Sequence, residues 1–117
     1  FAVGNMVEEA DKVVDLLRES GYNPTLVNVR FVKPIDYELI DELVVNHNVI
    51  CTMEENIQVG GFGNQVGAYL NDKNEEVALV NISIKDKFVE HGDIDSLRRK
   101  LGLDSESVVK RILDILD

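Results

Sequence analysis

Apolar positions recur at helical spacing from Val7. Val7, Ala10, Val13, Val14 and Leu17 stand three or four residues apart with charges between them, and Gly21 follows as a stop signal. Asn5 is placed to cap this helix, and Glu8, three residues on, completes a near capping box. Thr25 to Arg30, short and β-branched after Pro24, predicts a strand. Asp36 then predicts an N-cap, with Glu38 in the first turn and Ile35 and Ile40 at the spacing of a hydrophobic staple. Leu39, Ile40, Leu43 and Val44 make the inner face of this second helix. Val49 to Met53 is a continuous apolar run of strand length, as expected where helices cover both faces of a sheet, and Glu54-Glu55-Asn56 ends it.

The glycine turn Gly60-Gly61-Phe62-Gly63 leads to a third helix with Phe62, Val66, Tyr69 and Leu70 on one side. After a polar break at Asn71 to Asn74 comes a strand from Val77 to Ile84. An irregular stretch runs through Gly92, and a short helix is expected around Asp95 to Leu101. The last helix begins near Asp104, with Val108, Val109, Ile112, Ile115 and Leu116 inward. Phe1-Ala2-Val3-Gly4 reads as the end of a buried strand whose earlier part lies upstream. Strands and helices thus alternate, which predicts a three-layer α/β/α fold with a doubly wound, mostly parallel sheet, four strands of it within this chain. Functional loops are expected at the carboxyl ends of the strands: Gly4 to Met6, Phe31 to Asp36, Glu54 to Gly63 and Lys85 to Gly92.

Composition bounds the partners. A chain of 117 residues has room for one domain, taken as residues 1–117. Its net charge of -10 opposes a phosphate backbone, so nucleic acid is not an expected ligand, and no apolar run reaches membrane-span length. The single Cys51 cannot form an intrachain disulfide and no signal segment is evident, so a cytoplasmic setting is expected.

The candidate chemistry is sparse. Gly61, Gly63 and Gly67 follow a G-x-G-x-x-x-G pattern, off register for a dinucleotide loop. Two carboxylates precede it and no Lys or Arg lies in it, so a tight turn that lets helix and sheet approach closely is the better reading. Glu54 and Glu55 are adjacent on an extended chain and point to opposite sides, so they do not share an acid/base site; exposed or interfacial roles are expected. His47 is read as a contact to a helix C-terminus, and His91 as a loop histidine that either supports the loop or serves an interface. Neither histidine has partners at metal-ligand spacing. Cys51 is expected to be a buried, inert thiol, and Arg98-Arg99-Lys100 to complement a helix dipole. No catalytic, cofactor-binding or metal-binding residue is assigned; Glu54, Glu55, Asn56, Gly60, Gly61, Gly63 and His91 are retained as interface or loop candidates.

In this order the loops resemble a known family. Gly4-Asn5-Met6, Arg30-Phe31-Val32-Lys33-Pro34-Ile35-Asp36, Glu54-Glu55-Asn56 with Gly60-Gly61-Phe62-Gly63, Phe88-Val89-Glu90-His91-Gly92 and Leu101-Gly102-Leu103-Asp104 are similar to the C-terminal domain of 1-deoxy-D-xylulose-5-phosphate synthases. The second and third of these motifs are shared more loosely with transketolases and the beta subunits of 2-oxoacid dehydrogenases. The resemblance implies a homodimeric enzyme that condenses pyruvate with glyceraldehyde 3-phosphate, releasing carbon dioxide, with thiamine diphosphate and Mg2+ held by domains upstream of this one. It also implies one further, antiparallel strand upstream. One departure is Lys85, where the family usually has proline, which relaxes the backbone of that loop. Rival expectations are the equivalent domain of a transketolase or dehydrogenase beta subunit, and a free-standing flavodoxin-like module whose glycine loop holds an anion.

Overall fold

The apolar run around Cys51 becomes the spine of the sheet. In the computed structural model, which describes residues 1–29, 35–57, 61–73, 76–85 and 105–116, strand β3 (Val49–Ile57) pairs in parallel with β4 (Ala78–Lys85) from Val49↔Ala78 onward. The short strands β1 (Ala2–Val3) and β2 (Asn28–Val29) complete a parallel sheet of four strands in the order β2-β1-β3-β4. β1 lies between β2 and β3, and Ala2 is fully buried, as a strand end inside a sheet requires.

Helices cover both faces. On one, α1 (Val7–Glu19) and α4 (Ser105–Leu116) bury Ala10, Val13, Leu17, Val108, Val109 and Ile112 against Ala2, Met53, Val80 and Ile82. On the other, α2 (Tyr37–Val44) and α3 (Phe62–Asp72) bury Ile40, Phe62, Val66 and Leu70 against Ile35 and Ile50. These two helices are also tied at the surface. Tyr37 stacks on Tyr69 at 4.3 Å between ring centroids, and the Tyr69 hydroxyl donates to Asp41 at 2.6 Å. The result is the doubly wound α/β/α architecture expected from the alternation.

Local signals account for several boundaries. The Asp36 carboxylate accepts the Leu39 N–H at 3.1 Å, which caps α2, and the staple residues Ile35 and Ile40 are buried in one cluster. Past α1, Gly21 adopts φ 92°, open to glycine at little cost.

Elsewhere the structure departs from the sequence pattern. A 3-10 turn over Gly4–Met6 leads directly into α1, whose N-cap is Met6 with no side-chain cap, so Asn5 does not take the capping position. The turn supersedes the cap because backbone bonds of 3-10 type already occupy the first N–H groups. Only Asn28–Val29 of the expected second strand pair within the described residues. Glu54-Glu55-Asn56 does not end β3, which continues to Ile57 through a register irregularity after Glu54. Ile115, expected inward, is 46% exposed in the last turn of α4. The helix expected around Asp95 to Leu101 lies outside the described residues.

Candidate functional site at the carboxyl edge of the sheet

In this strand order the chain leaves β1 toward β2 and leaves β3 toward β4, so the topological switch lies between the carboxyl ends of β1 and β3. Open α/β sheets bind ligands at such a point. Here the chain itself fills it. The turn after β1, with Gly4 at φ 59°, buries Met6 completely, and Phe62 at the start of α3 is 2% exposed and packs 5.6 Å from the Phe1 ring.

The centre of the site is Glu54. Although charged, it is only 6% exposed, and each of its carboxylate oxygens accepts a backbone N–H from the first turn of α3. Oε1 takes Phe62 N–H at 3.0 Å and Oε2 takes Gly63 N–H at 2.6 Å. A helix N-terminus presents unpaired N–H groups and the positive end of the helix dipole, which is why it attracts anions. Glu54 is that anion, supplied internally, and a phosphate entering the same place would meet its negative charge. This corrects the expectation of an exposed or interfacial Glu54. It also removes the basis for a glycine loop that holds an external anion.

The glycines act as the tight-turn reading requires. Gly61 is the N-cap residue of α3, with no side-chain cap of its own, so Glu54 provides the satisfaction that a capping side chain otherwise gives. A Cβ on Gly63 would stand 2.6 Å from the Asn81 Nδ2 of β4, and one on Gly67 3.1 Å from Leu79 Cδ2. Glycine at both positions lets α3 lie directly on β4. Asn81 is held beneath Gly63 by the Thr52 hydroxyl, which donates to its Oδ1 at 3.1 Å.

Of the remaining candidates, Glu55 and Asn56 belong to β3, with side chains outside the described set; Gly60 and His91 lie outside the described residues altogether. Two residues that the pattern did not flag prove important. Glu9, 6% exposed, accepts the Ser105 N–H at 3.1 Å, so the start of α4, like that of α3, rests on a buried carboxylate from another element. Its signal was present: it falls on the apolar stripe between Met6 and Val13. Asn81 is the other, a polar residue between buried Val80 and Ile82, in register with Thr52.

At the opposite end of the sheet, His47 fulfils the expected helix-end contact. Its Nδ1 is 2.8 Å from the Leu43 carbonyl, and its Nε2 is 3.1 Å from the Thr25 hydroxyl. A carbonyl only accepts, so Nδ1 carries the proton shared with Leu43, and Nε2 shares a hydrogen bond with the Thr25 hydroxyl. Burial pushes the Cys51 thiol up to about 11, in keeping with an inert cysteine.

The transketolase C-terminal domain family matches residues 1–108. The chain belongs to this family. As a transketolase C-terminal domain it is 39% identical, over 99% of its length, to the 1-deoxy-D-xylulose-5-phosphate synthase of Clostridium tetani. It is 46% identical, over 96%, to that of Lachnoclostridium phytofermentans, and 42% identical, over 97%, to that of Caldanaerobacter subterraneus subsp. tengcongensis. It spans only 19% of the first of these relatives and 18% of the other two. A solved structure described as a split-gene transketolase, an inactive β4 tetramer, superposes with a TM-score of 0.84 at 28% identity, over 97% of this chain and 37% of that one. The transketolase domain fold expected from the loop motifs is thereby established, and the three relatives named are synthases.

Proposed function

We propose that this domain is the C-terminal, dimer-bracing part of a thiamine-diphosphate-dependent synthase that condenses pyruvate and glyceraldehyde 3-phosphate to 1-deoxy-D-xylulose 5-phosphate and carbon dioxide. The observation that carries the proposal is the likeness to synthases along nearly the whole chain, at 39–46% identity in the three relatives named. The synthase, a cytoplasmic homodimer in this reading, is a transferase that feeds isoprenoid and thiamine biosynthesis.

The described residues do not fit a diphosphate and its Mg2+. The α3 N-terminus, at the switch point, is taken by Glu54, whose charge would repel a diphosphate. Among the described residues no group of three His, Cys, Asp or Glu is placed to hold a metal ion. Thiamine diphosphate and Mg2+ therefore belong to the upstream domains in this reading, and this domain supplies rigidity. Two carboxylates that lock the starts of α3 and α4, and α3 itself laid directly on the sheet, suit a brace.

Assay of the full-length protein tests the proposal. With pyruvate and glyceraldehyde 3-phosphate it forms 1-deoxy-D-xylulose 5-phosphate and carbon dioxide. Two-carbon transfer between sugar phosphates without pyruvate turnover would make it a transketolase instead. Calorimetry of the 117-residue chain alone is expected to show no tight uptake of thiamine diphosphate.

A further inference from the structure

The outer face of α2 carries side chains that the domain's own folding does not call for. With its N-cap the helix holds Asp36, Glu38, Asp41 and Glu42, and no Lys or Arg. Asp36 caps and Glu38 lies in the first turn, where the helix dipole favours a carboxylate. Asp41 and Glu42 fall in the last turn, where the dipole disfavours one. Glu38 and Glu42 are also like charges four residues apart, which repel along the helix. By contrast, α1 interleaves its carboxylates with Lys12 and Arg18, and α4 with Lys110 and Arg111. Among the described residues the ion pair is that of Lys12 with Glu9, so Glu38, Asp41 and Glu42 have no cationic partner there.

Apolar surface accompanies these charges. Tyr37, Asp41 and Val45 stand four residues apart along one side of α2, and Tyr37 is 43% and Val45 78% exposed. Tyr69 of α3 fixes two of the three: its ring stacks on Tyr37 and its hydroxyl donates to Asp41. An aromatic ring and a carboxylate are thus held one turn apart at the surface. A guanidinium suits that pair better than an ammonium, because its plane stacks on a ring while its N–H groups bond a carboxylate, and it is the more weakly hydrated of the two cations. Val45 offers contact for the aliphatic stem of such a side chain or its neighbours. The same face of a second copy does not fit. A two-fold contact lays a patch on itself, so carboxylates would meet carboxylates.

We propose that the outer face of α2 docks an arginine-bearing segment of the full-length protein from upstream of Phe1, with a guanidinium stacked on Tyr37 and paired with Asp41. The inference rests on reading the chain as part of a longer synthase, and names the surface by which this domain braces the rest. The chain spans 18–19% of the three relatives named, so most of such a protein lies outside it. Charge complementarity selects the segment: it is basic where α2 is acidic.

Photo-crosslinking of the full-length protein tests this. A benzophenone amino acid in place of Tyr37, or separately of Val45, is expected to link α2 to an arginine-bearing peptide from upstream of Phe1. Glutamate in place of that arginine is expected to lower the yield about tenfold or more, and Glu38→Arg with Glu42→Arg to restore it. The proposal is overturned by a link only to residues 1–117 of a second copy, by a link to an upstream peptide without arginine, or by no link from either position. A yield indifferent to the charge reversal would overturn it as well. The synthase assay is independent. A linked protein without synthase activity would fault the functional reading alone, and an active synthase without the link would fault this inference alone.

Discussion

Replacing Glu54 with alanine removes an anion that two buried N–H groups depend on. A hydrogen bond to a charged group contributes about 1.5–3 kcal/mol, so the bonds to Phe62 and Gly63 together reach about 3–6 kcal/mol. An ordinary solvent-exposed cap contributes only about 1 kcal/mol. The larger figure governs here because Glu54 is 6% exposed and its removal strands the donors away from water. Partial entry of water into the vacated space leaves an expected loss of about 3–5 kcal/mol for Glu54→Ala. Glu54→Gln keeps one carbonyl oxygen but turns an amide N–H toward a donor, and is expected to lose about 2–3 kcal/mol. In equilibrium urea unfolding, a 4 kcal/mol loss moves the midpoint by roughly 2 M at an m-value near 2 kcal/mol/M. Should Glu54→Ala unfold within about 0.5 kcal/mol of the parent, as a surface substitution does, the carboxylate is not the cap of α3 and the reasoning fails.

Other substitutions probe the same packing. Gly63→Ala forces Asn81 from its place beneath α3 and is expected to cost about 1–3 kcal/mol, whereas Gly67→Ala, with 3.1 Å to a Leu79 methyl, is near neutral because helix propensity offsets the contact. Their melting temperatures should separate accordingly. Glu9→Ala removes the acceptor of the Ser105 N–H and is expected to destabilise by about 1–2 kcal/mol, with faster amide exchange in the first turn of α4. For Cys51, burial raises the thiol from 9.0 to about 11, so alkylation at pH 8 should run about 100-fold slower than for a free thiol. The unfolded state releases that proton first, so the stability this group contributes declines as pH rises from about 9 to about 11.

What could be read from the sequence was local. The Asp36 cap, the Ile35 and Ile40 staple and the Gly21 stop each involve residues within one turn of each other, and all stand as expected. The glycine turn was legible as close packing, since G-x-G-x-x-x-G without basic residues suits contact better than phosphate. Its partner was not. Alternation put Glu54 and Glu55 on opposite faces without saying which face was inside, and the Glu54 bonds span eight and nine residues across a loop. Glu9 was further out of reach because its acceptor role depends on Ser105, 96 residues away. Asn5 misled because a capping residue and a 3-10 entry share the same sequence signature, and only the backbone path distinguishes them.

Glu54 holds structure and does no chemistry. Steady-state kinetics, in the proposed synthase assay, and sedimentation of the full-length protein and its Glu54→Gln variant test this in one experiment. The expected result is a kcat within a few-fold of the parent, with weaker assembly or a raised KM. A kcat lowered by several orders of magnitude with assembly unchanged would contradict it.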